Sequence, residues 1–346
     1  MKTITIHAAK DLRIEDRAEL QPGPGQVAVR LARGGICGSD LHYYNHGGFG
    51  PVVLREPMIL GHEVSGFVSA IGDDVAGIEV GDLVAVSPSR PCKTCRFCAE
   101  GSFNHCENMR FYGSAMPFPH IQGAFREVLV VDRAQIALAT GLTPGEAAMA
   151  EPLAVALHAT RRAGALLGKS VLVTGCGPIG ILCILAARRA GADFVVATDL
   201  ANFTLEQAHK AGADVSINVA DTPDALGQFA GQKGQFDLLF ECSGAAPALS
   251  GAIPSLRPGA TILQLGLGGD MTLPMQAMTA KELSLVGSFR FHEEFFTGVS
   301  LMQKGLIDVS ALITHEFALQ DAVEAFETAG DRAQAMKAQI KFSDAA

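Results

Sequence analysis

The first part of the chain, up to about residue 145, consists of short apolar alternations interrupted by glycine, proline and aspartate. Alternating apolar and polar positions with turn residues between the runs are typical of strands that bury one face. Prolines recur throughout this segment and leave little room for long helices. We therefore predict a mostly β unit, whose clearest strands are 27–31, 66–68, 83–86 and 128–131.

The pattern changes near residue 146, where continuous apolar runs begin to alternate with amphipathic stretches. This order indicates a parallel sheet covered by helices on both faces. The predicted helices are 147–166, 178–190, 203–211 and 223–230, and the predicted strands are 170–174, 194–198, 214–217, 236–241, 260–265 and 283–288. The tail, 290–346, is predicted to form helices at 295–304 and 321–328 and a final strand at 338–342.

Length and composition fit this division. A chain of 346 residues is long for one hydrophobic core and suits two domains. With 48% hydrophobic and 18% charged residues, it has the composition of a well-packed globular protein. We find no low-complexity linker between the segments, which predicts closely packed domains with a cleft between them.

Charge and targeting signals exclude several classes of function. The net charge is −9 and the basic residues are scattered, which argues against a nucleic-acid partner held through its phosphates. No apolar run approaches the roughly 20 residues that cross a bilayer, and the first ten residues alternate like a strand rather than a signal peptide. Eight cysteines in such a chain indicate reduced thiols and a cytoplasmic protein.

A glycine-rich turn follows the predicted strand 170–174. Gly175, Gly177 and Gly180 form a G-x-G-x-x-G motif that opens the next helix, and Asp199 ends the following strand. The first glycine allows the tight turn, the second lets the backbone approach a pyrophosphate, and the third lets the helix pack on the strand. Asp199 stands where a carboxylate accepts hydrogen bonds from the adenosine ribose and repels a 2′-phosphate. A plain structural turn is the alternative, but this context predicts a dinucleotide site.

Four cysteines stand close together with the spacing C-x2-C-x2-C-x7-C, at Cys92, Cys95, Cys98 and Cys106. Four thiolates complete a tetrahedral zinc shell and leave no open position, which is typical of a structural site. Buried free cysteines, an iron–sulfur cluster and a nucleic-acid-binding zinc ribbon are the alternatives. The final interval differs from the ferredoxin run and the surrounding charges are balanced, so we favour structural zinc.

A second set of metal-ligand residues is dispersed along the chain: Cys37, His62, Glu63 and Glu151. Singly they carry little information, because a lone cysteine after a strand is more often part of a core. Together, one thiolate, one imidazole and a carboxylate can bind zinc and leave a position for water or substrate. The spacing alone leaves both interpretations open.

The order of these motifs resembles that of the zinc-containing medium-chain dehydrogenases: G-I-Cys37-G-S-D, G-His62-Glu63, the four cysteines, Glu151-Pro and the glycine-rich turn. The resemblance covers nearly the whole chain. It implies a GroES-like β-barrel catalytic domain, formed by residues 1–146 and 290–346, and a doubly wound Rossmann domain, residues 147–289. It also implies about two zinc ions per chain, one structural and one catalytic.

The resemblance also implies roles for individual residues. Cys37, His62 and a glutamate, either Glu63 or Glu151, would bind the catalytic zinc. Ser39 and His42 would pass a proton outward, and Tyr43, Glu151 and Arg290 would contact the substrate. The residues expected to bind NAD, and possibly NADP, are Gly175, Gly177, Pro178, Ile179, Gly180, Asp199, Leu265, Gly266, Leu267, Ser288, Phe289 and Arg290.

Within the family the chain is similar to the sorbitol (polyol) dehydrogenase branch and, over 109–120 and 287–291, to L-idonate 5-dehydrogenases. This implies a sugar-acid substrate, with Arg290, Arg110 and His120 as candidate partners of its carboxylate and a neutral polyol as the alternative. Thr204 replaces an arginine of the sorbitol enzymes and Phe291 a tyrosine, which predicts a less strict cofactor preference and argues against plain-sorbitol activity. A homotetramer or homodimer is expected. A non-catalytic dinucleotide sensor and a zinc-free quinone reductase are the rivals, and the intact ligand residues disfavour both.

Overall fold

A computed structural model describes residues 1–343 of the chain. Its strands are β1 (Lys2–Ala8), β2 (Asp11–Asp16), β3 (Gln26–Gly35), β4 (Gly48–Phe49), β5 (Val52–Val53), β6 (Met58–Ile59), β7 (Glu63–Ile71), β8 (Leu83–Val86), β9 (Ser89–Arg90), β10 (Arg110–Phe111), β11 (Val128–Asp132), β12 (Ile136–Leu138), β13 (Ser170–Thr174), β14 (Phe194–Asp199), β15 (Val215–Asn218), β16 (Phe236–Glu241), β17 (Leu256–Gln264), β18 (Ser284–Gly287), β19 (Ile313–Ala318) and β20 (Lys337–Lys341). Its helices are α1 (Gly38–His46), α2 (Arg96–Ala99), α3 (Pro144–Ala148), α4 (Ala150–Ala163), α5 (Pro178–Arg189), α6 (Asn202–Lys210), α7 (Ala246–Ala252), α8 (Met275–Ala280), α9 (Glu294–Gln303) and α10 (Ala322–Gly330).

The N-terminal unit is built on a mixed sheet in the order β12-β8-β7-β3-β20-β19, with β11 also paired to β3. Alternate residues of β3 and β7, among them Val29, Leu31 and Val64, point into one buried cluster, as the alternation predicts. The last strand, β20, runs antiparallel to β3, with Gln339 opposite Gly35. The C-terminal tail therefore completes the first sheet and ends beside the segment that leads to Cys37.

The central unit is a six-stranded parallel sheet in the order β15-β14-β13-β16-β17-β18. Its strand order reverses at β13, and in such sheets ligands bind beyond the carboxyl ends of the strands at this switch point. Strands β13 and β16 are almost fully buried and apolar, because helices cover both faces. The predicted parallel Rossmann sheet is confirmed.

Several predicted elements differ in detail. The helix expected over 147–166 is two helices, α3 and α4, since Pro152 has no N–H to donate to the carbonyl of Ala148. The helix expected near 223–230 is only a 3₁₀ segment, Ala225–Phe229, in a stretch that contains Gly227. Helices α7 and α8 were not predicted, because each is too short for its apolar period to stand out.

The two units share one hydrophobic cluster, which joins Phe111 and Ala139 to Leu153, Ile181 and Phe295. Helix α4 lies between them, and its first turn carries Glu151. A shared core fixes the zinc-ligand residues relative to the dinucleotide loop. Within residues 1–343, we find no helix with the length and apolarity needed to span a membrane.

Candidate active site

Three of the dispersed ligand residues meet in a buried cluster. One ligand atom each of Cys37, His62 and Glu63 lies within 4.8 Å of the others. Cys37 caps the N-terminus of α1, and His62 and Glu63 stand at the start of β7. Because β3 and β7 are paired, with Gly35 opposite Glu63, the end of β3 delivers Cys37 to the other two residues.

Asp40 is the buried support of this cluster, and the sequence reasoning gave it no role. Its carboxylate accepts hydrogen bonds from the backbone N–H of Cys37 at 3.0 Å and of Gly61 at 3.1 Å. One of its oxygens lies 3.9 Å from Nδ1 of His62. Carboxylates behind metal-binding residues commonly fix their orientation in this way. Its position as the third residue of helix α1 after the Cys37 cap is a signal that sequence reasoning could have used.

Lys337 is a second residue that sequence reasoning missed. Its buried ammonium donates to both carboxylate oxygens of Glu63, at 2.8 and 2.7 Å, and to the carbonyl oxygen of Ile36 at 3.1 Å. Burial alone would lower the pKa of Lys337, but the charges of Glu63 and Cys37 raise it above its usual value. Lys337 is therefore a cation that compensates the anionic ligand set.

Glu151 lies near the cluster but outside its closest group of ligand atoms. Burial raises the pKa of the Glu151 carboxyl to about 8; the charge of His62 opposes this shift, and those of Glu63 and Cys37 add to it. Burial, followed by the charge of Glu63, also raises the pKa of the Cys37 thiol to about 11. The cluster therefore gathers more anionic groups than Lys337 alone can compensate.

Helix α1 carries the remaining residues predicted on this side of the cleft. Ser39 and His42 are half-buried and three positions apart, so they share one face of the helix. Burial, together with the positive charges of His46 and Arg332, lowers the pKa of His42. Tyr43 is buried, and its hydroxyl oxygen accepts a hydrogen bond from the backbone N–H of Ala115 at 3.1 Å. This bond leaves the phenolic hydrogen available to a substrate oxygen.

The four closely spaced cysteines form a separate lobe around α2. One ligand atom from each of Cys92, Cys95, Cys98 and Cys106 lies within 4.8 Å of the others, and all four residues belong to one short loop. Hydrogen bonds from Thr94, through its side chain and its backbone, and from the Asn108 side chain lower the pKa of Cys92 to about 5. A donor set made only of thiols with this separation fits a closed tetrahedral metal shell.

The glycine-rich turn is arranged as its spacing predicts. Gly175 has a φ of +84°, and a Cβ there would meet the backbone of Ser243 at 2.7 Å, so only glycine fits. Gly177 caps helix α5, which starts with Pro178. A Cβ at Gly180 would collide with the carbonyl oxygen of Gly175, which leaves helix and turn in direct contact.

Asp199 ends β14 beside this turn. Its carboxylate accepts hydrogen bonds from the backbone N–H groups of Cys176 at 2.5 Å, Leu200 at 2.7 Å and Ala201 at 3.1 Å. Thr204 is buried, and its hydroxyl donates to the carbonyl oxygen of Ala201 at 2.8 Å. Asp199 therefore holds the turn, and Thr204 is a helix residue with no charge to offer a 2′-phosphate.

The other residues predicted to bind cofactor follow β17 and β18. The N–H groups of Leu265 and Gly266 donate to the carbonyl oxygen of Glu241, both at 2.9 Å, and Leu267 is exposed. The hydroxyl of Ser288 is buried and finds no partner within residues 1–343. The carbonyl oxygen of Phe289 accepts a hydrogen bond from Nδ2 of Asn104, which joins this segment to the cysteine lobe. Both loops lie at the carboxyl edge of the parallel sheet.

Burial lowers the pKa of Arg290 to about 10, although the charges of Glu151 and Tyr43 act to raise it. Its guanidinium carbon lies 4.3 Å from the ring centroid of Phe111 and 4.9 Å from that of Phe289. Arg290 itself has a φ of +55°, which is uncommon outside glycine. Its side chain donates to the sulfur of Met116 at 3.3 Å and, in the described part of the chain, to no oxygen.

These arrangements can be compared with known proteins. Two family models match the chain: the alcohol dehydrogenase GroES-like domain over residues 23–141 and the zinc-binding dehydrogenase domain over 178–304. An L-idonate 5-dehydrogenase (NAD(P)(+)) of Escherichia coli strain K12 is 42% identical over 316 residues, which cover 91% of either chain. A sorbitol dehydrogenase of Gallus gallus is 36% identical over 342 residues, 98% of this chain and 95% of its own. The chain belongs to the zinc-binding dehydrogenases.

The fold of this dehydrogenase agrees with that membership. The crystal structure of L-idonate 5-dehydrogenase from Escherichia coli K-12 aligns with a TM-score of 0.94 and 38% identity, covering 98% of this chain and 97% of that one. The GroES-like and Rossmann architecture is confirmed, and so is membership of the zinc-containing medium-chain dehydrogenases.

The donor chemistry of this dehydrogenase fits zinc at both clusters. The lobe offers four sulfur atoms, and the buried cluster offers one sulfur, one nitrogen and one oxygen atom within 4.8 Å of one another. In the buried cluster Nδ1 of His62 has no hydrogen-bond partner within residues 1–343, and Glu63 raises the pKa of both Cys37 and Glu151. A divalent cation would stabilise these anionic groups.

The prediction that His120 is a partner of the substrate carboxylate is wrong. His120 is buried, its Nε2 accepts from the N–H of Arg55 at 2.9 Å, and its Nδ1 lies 2.9 Å from the carbonyl oxygen of Pro117. Both ring nitrogens are therefore used to hold their own loop, and His120 cannot bind a carboxylate. Phe291 is fully buried against Phe111 and Phe295, so the residue that replaces the polyol-branch tyrosine belongs to the core.

Proposed function

We propose that this dehydrogenase transfers a hydride between the C5 carbon of a sugar acid and NAD(P), with L-idonate and 5-ketogluconate as the preferred pair. The observation that carries the proposal is Arg290, a half-buried cation beside Glu151 and Tyr43 whose hydrogen bonds reach only a sulfur atom. An arginine binds a carboxylate with two parallel hydrogen bonds, and that bond compensates the desolvation of both charges. A sorbitol, xylitol or galactitol dehydrogenase is the alternative.

We propose the following division of labour in the cleft. Cys37, His62 and Glu63 would hold the zinc ion, because their ligand atoms are the closest group, and Glu151 would face the substrate. When bound, the zinc supplies a Lewis acid that polarises the alcohol oxygen and lowers its pKa. The Ser39 hydroxyl would accept the alcohol proton while it releases its own, through the ribose hydroxyls of the cofactor, to His42, which its lowered pKa keeps neutral and which would pass the proton outward. The nicotinamide supplies the hydride chemistry, so the chain contributes geometry and charge.

We also propose a division of the chain into two domains. Residues 1–146 and 290–346 would form the catalytic domain, which the pairing of β20 with β3 supports. Residues 147–289 would form the dinucleotide domain.

We propose that copies of the chain associate through the Rossmann sheets as a dimer or tetramer, since the edge strand β18 is largely exposed and carries the exposed Leu285. Sedimentation velocity tests this assembly. A cytoplasmic location is proposed because all eight cysteines are free thiols.

A substrate panel tests the sugar-acid proposal. With either cofactor, we expect kcat/KM for L-idonate to exceed that for sorbitol and xylitol at least about tenfold, since charged hydrogen bonds contribute roughly 1.5–3 kcal/mol. Arg290→Ala should lower kcat/KM for the acid more than for any neutral polyol, and Arg290→Lys should lose less. Arg110→Ala is the matched control, because Arg110 is exposed. Equal efficiency with sorbitol would make the polyol alternative correct, and a larger loss in Arg110→Ala would move the carboxylate site there.

We also propose a moderate preference for NAD over NADP, supported by the carboxylate of Asp199 beside the turn. Asp199→Asn removes the negative charge that opposes a 2′-phosphate but keeps an oxygen that can accept from the N–H of Cys176. The ratio of kcat/KM with NADP to kcat/KM with NAD should rise about tenfold, because the substitution removes one charged hydrogen bond to the ribose of NAD. Steady-state kinetics with both cofactors measures it. A wild-type enzyme that strongly favours NADP would show that another group governs this pocket.

A further inference from the structure

Arg332 extends from the C-terminal tail onto the glycine-rich turn of the other domain. It follows α10, in a turn that Asp331 fixes by accepting hydrogen bonds from the N–H of Ala333 at 2.9 Å and from Nε2 of Gln334 at 2.7 Å. A Cβ placed on Gly177 would lie 2.6 Å from Nη1 of Arg332. The guanidinium therefore lies directly over the second glycine of the motif.

The space above Gly177 is the space that a dinucleotide needs. The second glycine of this motif lacks a side chain so that a pyrophosphate can approach the backbone, and the N-terminus of the following helix faces it. The third glycine has a different neighbourhood, since a Cβ on Gly180 would collide with the carbonyl oxygen of Gly175 within the same turn. Of the two, only Gly177 opens towards a charged group, and that group comes from the catalytic domain.

The positive charge of Arg332 is not paired within residues 1–343. The side chain is exposed and makes no hydrogen bond or ion pair with any residue between Met1 and Ser343. Burial lowers the pKa of His42, on helix α1, and the nearby positive charge of Arg332 adds to that shift. Arg332 thus lies between the turn and helix α1 with all its donors available to a ligand.

We propose that Arg332 is a cofactor-binding residue whose guanidinium pairs with the pyrophosphate of the dinucleotide. The phosphates are then held from both domains, by the N-terminus of α5 and by an arginine of the catalytic domain. Lys337, five positions later in the chain, holds Glu63. The segment from Asp331 to Lys337 therefore joins the phosphate contact to the zinc-ligand cluster. This assignment depends on dinucleotide binding and not on the identity of the alcohol.

Binding measurements on the zinc-loaded, full-length protein test the proposal. NADH, ADP-ribose and adenosine would be titrated by calorimetry into wild type, Arg332→Gln and Arg332→Lys. We expect Arg332→Gln to weaken NADH and ADP-ribose about tenfold and to leave adenosine, which has no phosphate, unchanged. Arg332→Lys keeps the charge and should lose less affinity for NADH and ADP-ribose. The wild-type affinity for ADP-ribose should also fall more steeply with salt than that of Arg332→Gln.

Arg189→Gln is the matched control, since Arg189 is an exposed arginine at the opposite end of α5 and loses the same charge. It should bind all three ligands as wild type does. The proposal is overturned if Arg332→Gln binds ADP-ribose as tightly as wild type. It is also overturned if adenosine weakens as much as ADP-ribose, which would indicate a folding defect, or if Arg189→Gln causes the same loss, which would indicate a general charge effect.

Discussion

The cysteine lobe and the buried Cys37 cluster are both candidate zinc sites, yet the chain builds them in opposite ways. The lobe takes four ligands of one kind from one short loop, and Cys92 and Cys95 remain half-exposed. The Cys37 cluster takes three kinds of donor from the end of β3 and the start of β7; His62 and Glu63 are buried, and Cys37 is half-buried. One site is a local feature of sequence, whereas the other exists only after the sheet has formed.

The residues that surround the two sites also differ, because those of the lobe are close in sequence, whereas the Cys37 cluster draws one from a distant part of the chain. In the lobe, the sulfur of Cys92 accepts hydrogen bonds from Thr94 and from Asn108, which are 2 and 16 positions away in the chain. Around the Cys37 cluster, Asp40 and Lys337 are buried charges, and Lys337 lies 274 positions from its partner Glu63. A closed, self-contained shell suits a folding role, and an open one with tuned charges suits chemistry. In this chain, donor variety and buried compensating charge, more than ligand count, distinguish the candidate catalytic site.

The lobe is nevertheless connected to the cleft. The ring centroids of Phe103 and His292 are 4.6 Å apart, and Asn104 donates to the carbonyl oxygen of Phe289. His292 in turn lies beside Ser89, 3.4 Å away. The lobe therefore packs on the segment that carries Arg290, and any effect of the lobe on catalysis should be indirect, through the position of that segment.

The largest effect should come from Cys37→Ser. A catalytic metal supplies several kcal/mol of transition-state stabilisation, so turnover should fall at least about a thousandfold. Zinc analysis should drop from about two ions to about one per chain. The melting temperature and NADH affinity should change little, because the Rossmann sheet and its turn do not depend on this residue. Near-normal turnover, or one zinc ion in the wild type, would contradict the assignment.

Lys337→Met should have an intermediate effect. It leaves the buried Glu63 carboxylate without its cation, and breaking a buried pair costs about 3–5 kcal/mol. The loss should be greatest in chelator-treated protein, because bound zinc would itself compensate Glu63. We expect turnover to fall roughly ten- to a hundredfold, since Glu63 loses its position.

Thermal unfolding of Lys337→Met with and without chelator measures this difference, and Lys337→Arg is the control that retains the cation. If the chelator-treated variant melted at the wild-type temperature, Lys337 would not be the compensating charge of this cluster.

The contrast between the two sites also explains what could be predicted from the sequence. Spacing alone located the four cysteines and the glycine-rich turn, because each depends on neighbours within one loop. Through the family resemblance, Cys37 and His62 could be named as candidate ligands, with Glu63 and Glu151 as alternatives for the third. Lys337 and Arg332 could not be named, since long-range pairing of β20 with β3 brings their segment to the site. His120 was misassigned because sequence shows a histidine but not its hydrogen-bond partners.

Cys95→Ser should have the smallest effect on turnover and so sharpen the comparison. Zinc should again fall to about one ion per chain, but the lost free energy is folding free energy, because a structural site is formed by the folded chain. We expect a lower melting temperature, by several degrees for each 1–2 kcal/mol lost. Turnover per folded molecule should stay within about threefold of wild type, since the lobe contacts the Phe289–His292 segment and, within residues 1–343, makes no hydrogen bond or ion pair with the Cys37 cluster. Zinc analysis, differential scanning calorimetry and kinetics on the same preparation measure all three. A Cys95→Ser enzyme with normal stability and abolished turnover would reverse the roles proposed for the two sites. Lowered stability with retained turnover in Cys95→Ser, together with the reverse in Cys37→Ser, would separate the metal that supports the fold from the metal that supports the chemistry.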